Sequence, residues 1–162
     1  MARAKRVRTA ALRKTPAPAR RSKPVIELGI LNDRLGYFVR RLQIWVFQDF
    51  IRRLSSVDVS PAQFSVLVVI DANRGLSQAE LSATLGIERA RLVRVLHHLE
   101  HRGLIRRLPS SADGRRHALE LTRDGEKVLT RAKTLAEEHE AALVEKLGAE
   151  RRQSLLESLR EA

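Results

Sequence analysis

SQAELSATLGIERARLVRVLHHLEHRGLIRR, residues 77–107, divides into a short helix, a tight turn and a longer helix. Ser77 followed three residues later by Glu80 has the form of a capping box, which predicts a helix over 78–85 with Leu81 and Leu85 turned inward. Gly86 permits a sharp turn. The next helix carries Leu92, Val95, Leu96 and Leu99 on its buried side and Arg89, Arg91, Arg94 and His98 at positions that face outward near its first half. A helix, a glycine turn and a second helix with arginines in its leading turns have helix-turn-helix spacing. Gly103 ends the second helix, LIRRL (104–108) reads as a strand, PSSADGRR (109–116) as a loop, and HALELT (117–122) as a return strand with Leu119 and Leu121 on one face. A hairpin therefore follows directly on the two helices.

Towards the N-terminus, Leu31, Leu35, Phe38, Val39, Leu42, Trp45, Val46, Phe50 and Leu54 recur at three- and four-residue steps, which predicts one helix of about seven turns. Ile44, Phe47 and Ile51 widen its apolar surface beyond one stripe, as a dimer-forming helix requires. Ser60 is a candidate N-cap with Pro61 at the first helical position, predicting a second helix over about 61–72, and Gly75 breaks the chain after it. Beyond Thr122, helices are expected over 123–146, with Val128, Leu129, Leu135, Leu143 and Leu147, and over 149–160, with Leu155, Leu156 and Leu159. These stripes have to meet Leu31, Leu35 and Leu42 within or across chains. The expected fold is mainly α with a small β-hairpin wing. Its map is a basic disordered arm (1–27), a dimerisation helix (28–56), a winged helix-turn-helix domain (57–122) and C-terminal dimerisation helices (123–162).

The net charge of +12 over 162 residues suggests a polyanionic partner, and its distribution narrows the choice. Residues 1–24 hold 9 basic and no acidic side chains, too little apolar surface for a core. Residues 87–117 hold 8 basic and 3 acidic ones, with four of the five histidines. The chain has no cysteine, which excludes a disulfide framework, a thiolate metal site, a cysteine nucleophile and thiol-based sensing. No apolar run is long enough for a membrane span, and no apolar segment follows the basic N-terminus as in a secretory signal. His97 and His101 have a metal-compatible spacing, but HHLEH lacks the glutamate of the zinc-protease motif and no third ligand follows. No phosphate loop, nucleophile elbow or catalytic triad is legible. Neither enzyme activity nor a cofactor is expected.

DGRRHALELTRDG (113–125) resembles the wing signature of the MarR family of winged helix-turn-helix regulators, and LGIERARLVRVLHHLEHRGLIRR (85–107) resembles its recognition helix and following strand. More loosely, the likeness extends over residues 30–160. It implies a homodimer whose first helix and two C-terminal helices interlock, with one winged domain on each side. It also implies that Asp113 and Arg115 are the wing-tip pair and that Arg89, Arg91 and Arg94 occupy recognition-helix positions. Where the family often has a serine N-cap, this chain has Glu88, whose charge suits a helix N-terminus.

The expected partner is double-stranded DNA, with Ser77, Gln78, Arg89, Ala90, Arg91, Arg94, His98, Arg107, Ser111, Asp113, Arg115 and Arg116 as the contact set. Arginine at a wing tip suits a narrow, negative minor groove, with Asp113 as its orienter. Five of six aromatic residues, Tyr37, Phe38, Trp45, Phe47 and Phe50, fall in the first long helix, and Phe64 starts the second. They suit core and dimer packing; with Arg40 or Arg41 turned inward, they also suit a pocket for an aromatic carboxylate or its coenzyme A thioester. The effector set expected on the second reading is Tyr37, Phe38, Arg40, Arg41, Trp45 and Phe64. A cytoplasmic, bacterial, nucleoid-associated repressor released by a small effector is the functional expectation; a non-specific architectural DNA-binding protein is the alternative.

Overall fold

Local capping bonds set most of the element boundaries in the computed structural model, which describes residues 26–73, 75–109 and 117–161. The chain divides into two units, one ending at Arg34 and one beginning at Leu35. In the first, Gly29–Asp33 forms a single 3₁₀ turn and Arg34 is extended (φ −107°, ψ 108°). An extended residue cannot continue a helical ladder, so the long helix expected from Leu31 begins four residues later, as α1 (Leu35–Leu54).

In the second unit, a 3₁₀ turn (Ser55–Val57) leads from α1 to α2 (Pro61–Ala72). Ser60 and Gln63 cap α2 reciprocally: the Gln63 amide donates to Ser60 Oγ at 3.3 Å and the Ser60 amide to Gln63 Oε1 at 2.7 Å. Ser77 and Glu80 repeat the device at α3 (Gln78–Leu85), where the Ser77 amide donates to Glu80 Oε2 at 2.8 Å. The turn into α4 (Arg89–His101) passes through Gly86 at φ +60°. Buried Ser82 ties it down by donating its hydroxyl to the Ile87 carbonyl at 2.7 Å. Strands β1 (Ile105–Pro109) and β2 (His117–Leu121) pair antiparallel, Ile105 opposite Leu121 and Pro109 opposite His117. The residues before α3 extend the hairpin, since the Leu119 amide donates to the Leu76 carbonyl at 3.0 Å.

Thr122 closes the winged domain and opens α5 (Arg123–Leu147). Its hydroxyl accepts from the Gly125 amide at 3.0 Å and donates to the Gly103 carbonyl at 2.6 Å. After Gly148 the chain ends in α6 (Ala149–Arg160). The core lies inside the winged domain, where Leu67 and Ile70 of α2, Leu81 of α3, Leu92, Leu96 and Leu99 of α4, Leu119 of β2 and Leu129 of α5 meet. Each such leucine, once buried, contributes about 1.5–3 kcal/mol. Outside it, burial is sparse: α1 buries only Leu54 among its 20 residues, and α6 buries none. No single helix among the described residues is long and apolar enough to cross a membrane.

Candidate nucleic-acid interface and adjoining cleft

Leu92, Leu96 and Leu99 fasten one side of α4 to the core, and this decides which residues are left outside. Arg89, Ala90, Arg91, Arg94 and His98, all expected to face DNA, are exposed, and with them His97 and Val93. At 13 residues the helix is about 20 Å long, enough to lie in a major groove. Glu88 stands at its N-cap without capping through its side chain.

The far end of α4 is pinned from a distance. Arg102 donates to the main-chain carbonyls of Asp58 and, at 3.3 Å, of Val57, and lies 3.5 Å from the Asp58 carboxylate. Asp58 itself is left-handed (φ 51°), the one non-glycine residue of positive φ among the described residues. This ties α4 to the joint between α1 and α2. Arg102 was not among the expected site residues, because its partners lie 44 and 45 positions away.

Other expected contacts are engaged within the chain. Ser77 is occupied by its cap, with its hydroxyl 2.6 Å from Glu80 Oε2, and Gln78 beside it is half-buried. Arg107 is half-buried with Nε 3.2 Å from Glu100, and Arg106 donates to Glu120 across the strand pair at 2.9 Å. Ser111, Asp113, Arg115 and Arg116 lie outside the described residues, as does the expected Asp113–Arg115 pair.

Beside α4 lies a cleft of about 440 Å³, lined mainly by apolar atoms. Phe47, Phe50 and Ile51 of α1 form one wall, residues 60–62 and Ser65 the second, and Arg91 of α4 brings a guanidinium to it. This differs from the expected pocket. None of Tyr37, Phe38, Arg40, Arg41, Trp45 and Phe64 is in the lining. Tyr37 and Phe38 meet edge to face at 5.4 Å and Arg41 lies over Tyr37 at 5.8 Å, while Lys146 of α5 sits 4.2 Å over the Trp45 ring. Arg40 and Arg41 are both exposed in the single chain and neither lines this cleft. The aromatic positions of α1 point in several directions around a 3.6-residue turn, and among them Phe47 and Phe50, nine to thirteen residues beyond Tyr37 and Phe38, line the cleft.

Phe50 joins the cleft to a buried polar cluster. Its ring meets Phe64 edge to face at 5.4 Å and stacks on His139 of α5 at 4.9 Å, with an interplanar angle of 18°. His139 is 4% exposed, and its Nδ1 lies 2.8 Å from Asp49 Oδ2. Arg53 Nε donates to the same carboxylate at 2.8 Å and Arg52 also binds it. The hydrogen bond from Arg53, then that from His139, hold the Asp49 carboxyl well below the usual range against the opposing effect of burial. Asp49 is therefore ionised near neutrality, so Nδ1 of His139 carries the proton and donates it.

A model of the MarR family matches residues 57–116. A protein described as regulating the hcr operon of Thauera aromatica is 38% identical over 104 residues, 64% of this chain and 63% of that one. The match thus spans slightly less than two thirds of that relative's length. The transcriptional regulator HosA of Escherichia coli O127:H6 (strain E2348/69 / EPEC) is 31% identical over 103 residues, 64% of this chain and 76% of that one. Among solved structures, the transcriptional repressor CouR bound to a 23-mer DNA duplex superposes with a TM-score of 0.81 at 45% identity, covering 85% of this chain and 98% of that one. CouR bound to p-coumaroyl-CoA gives a TM-score of 0.77 at 44% identity, covering 84% and 96%. A helix-turn-helix followed by a strand hairpin, set between long helices and matched in both sequence and fold, places this chain in the MarR family of transcriptional regulators.

Proposed function

We propose that the chain is a homodimeric repressor that holds a pseudo-palindromic DNA site through α4 and its hairpin and releases it when an aromatic carboxylate, or the coenzyme A thioester of one, enters the cleft beside α4. The observation that carries this reading is the position of Arg91, which belongs both to the exposed face of α4 and to the lining of the apolar cleft. Apolar walls with one guanidinium suit a ligand that is apolar over most of its surface and anionic at one point. Support for the two ligand classes comes from CouR, solved both with DNA and with p-coumaroyl-CoA.

The dimer reading is supported by apolar surface that one chain leaves uncovered. Phe38 is 44% exposed on α1 and Leu159 66% exposed on α6. Leu42 and Val46 of α1, Leu143 and Leu147 of α5, and Leu155 and Leu156 of α6 border a small groove between these helices. A second copy offers the complementary surface, because a two-fold interface uses the same patch twice. Two α4 helices then have to stand about 34–36 Å apart to enter successive major grooves. A ligand that binds better at another spacing lowers DNA affinity by its differential binding to the two arrangements. In this scheme the arginines of residues 1–24 add phosphate contacts without sequence preference, and the wing-tip pair Asp113 and Arg115 contacts the minor groove.

The test is selection from random-sequence duplexes, followed by fluorescence anisotropy on the selected duplex and a scrambled one at about 150 mM salt, where exposed charges are substantially screened. A preference of about a thousandfold or more supports the specific repressor, and titration with p-coumaroyl-CoA and with free aromatic acids then reads release. Equal binding to both duplexes overturns it in favour of an architectural role.

A further inference from the structure

One side chain links the cleft to the rest of the molecule. Phe50 lines the cleft and also stacks on His139, while its neighbour Asp49 accepts a hydrogen bond from Nδ1 of the same imidazole at 2.8 Å. Two consecutive residues of α1 thus grip one ring of α5, one by stacking and the other by a charge-assisted bond. Nothing in the recognition of DNA by α4 uses this buried histidine.

We propose that His139 is a positioning residue that couples occupancy of the cleft to α5: a molecule in the cleft presses on Phe50, and the stacked imidazole carries the displacement into the helix that joins the hairpin to α6. This rests on the effector reading above. The geometry supports three steps. Phe50 has limited freedom, with Phe64 of α2 at 5.4 Å on one side and His139 at 4.9 Å on another. His139 is 4% exposed, so no solvent space lets it swing aside. Asp49 is itself anchored by Arg53, which reaches Glu138 of α5 at 3.4 Å, so the imidazole cannot slip along α1 without breaking charged contacts. α5 starts two residues after β2 ends and runs as one helix of 25 residues to Gly148, so a shift at His139 is delivered both to the hairpin and to the helices with uncovered apolar faces. Close-packed elements of this kind respond by moving as units rather than by local deformation.

The chain has no cysteine, so the cleft can be filled chemically without knowing its natural ligand. Ser65 lines the cleft, and Ser65→Cys offers a single thiol for N-phenylmaleimide. Affinity for the selected duplex is measured before and after labelling, first with His139 present and then in Ser65→Cys combined with His139→Gln, His139→Leu or His139→Phe. Gln and Leu remove the ring, and having two such variants guards against one failing to fold. Phe keeps the ring without the bond to Asp49. With His139 present, labelling is expected to lower DNA affinity tenfold or more, inside the roughly 5–150-fold range of ordinary coupling. Without the ring the loss falls below about twofold, and His139→Phe restores most of it. Comparing labelled with unlabelled protein within each variant cancels any general effect on folding. An equal loss in every background overturns the proposal and leaves direct obstruction at Arg91. No loss even with His139 overturns the proposal by showing the cleft is uncoupled from DNA. Absence of any sequence preference in the unlabelled protein overturns the repressor reading and this inference with it.

Discussion

Replacing Gly125 by alanine sets two physical effects against each other, and the geometry decides the sign. Gly125 is buried in the first turn of α5, where glycine is a poor helix former and alanine is expected to add about 1 kcal/mol of stability. A Cβ at this position, however, falls 1.9 Å from the main-chain oxygen of Leu104 and 2.9 Å from its carbonyl carbon. Reaching even 3.0 Å requires α5 and the start of the hairpin to part by about 1.1 Å. The obstacle is backbone, so no rotamer change relieves it. That separation also strains the Thr122 amide bond to the Leu104 carbonyl, now 3.1 Å, and the Thr122 hydroxyl bond to Gly103, now 2.6 Å. Overpacking costs about 1–3 kcal/mol and one weakened hydrogen bond about 1 more. With the propensity gain subtracted, Gly125→Ala should lose about 1–3 kcal/mol. For a chain of 162 residues that is a fall in Tm of about 2–12 °C. Urea and thermal unfolding at one fixed protomer concentration provide the assay, since under the proposed dimer stability depends on concentration. A variant as stable as the parent, or more stable, would show that the close approach to Leu104 is without consequence.

Four further outcomes are expected. Asp49→Asn should reduce stability at pH 7, and because the folded-state pKa of Asp49 is depressed, its contribution is full above the ordinary carboxylate value of about 3.9 and is lost progressively as pH falls from there towards the depressed folded value; the gap between urea midpoints of parent and variant should begin to narrow below about pH 4, and a constant gap between pH 7 and pH 3 would contradict this. Arg102→Ala removes the charged donor to the Val57 and Asp58 carbonyls and should cost about 1–2 kcal/mol by urea unfolding, with no change indicating that the α4 anchor lies elsewhere. Arg94→Ala should weaken binding to the selected duplex by about 1–3 kcal/mol while barely affecting a scrambled one, whereas under the proposed effector reading Arg91→Gln should raise the Kd for p-coumaroyl-CoA about tenfold, the equivalent of about 1.4 kcal/mol; an unchanged Kd would count against Arg91 as the proposed anion contact.

The winged domain and its punctuation were legible in the chain's local signals. Ser60 with Pro61, Ser77 with Glu80, and Gly86 act over one to four residues, so the bonds they make are written in adjacent positions and the elements fall where those signals lie. The exposed arginines of α4 were legible for the same reason, since the spacing of Leu92, Leu96 and Leu99 fixes which side is buried. At the start of α1 the apolar repeat continues back to Leu31, but periodicity carries no information about backbone angles, and the extended Arg34 interrupts it. Tertiary packing, and no local pattern, sets which aromatic residues border the cleft, brings Arg91 into its lining, and closes His139 on Asp49. Asp49 and His139 are 90 positions apart, and Arg102 and Asp58 are 44 apart. No local spacing encodes such pairs, because they depend on how whole helices cross, and the crossing is settled by the packing of the core rather than by the residues that meet as a result.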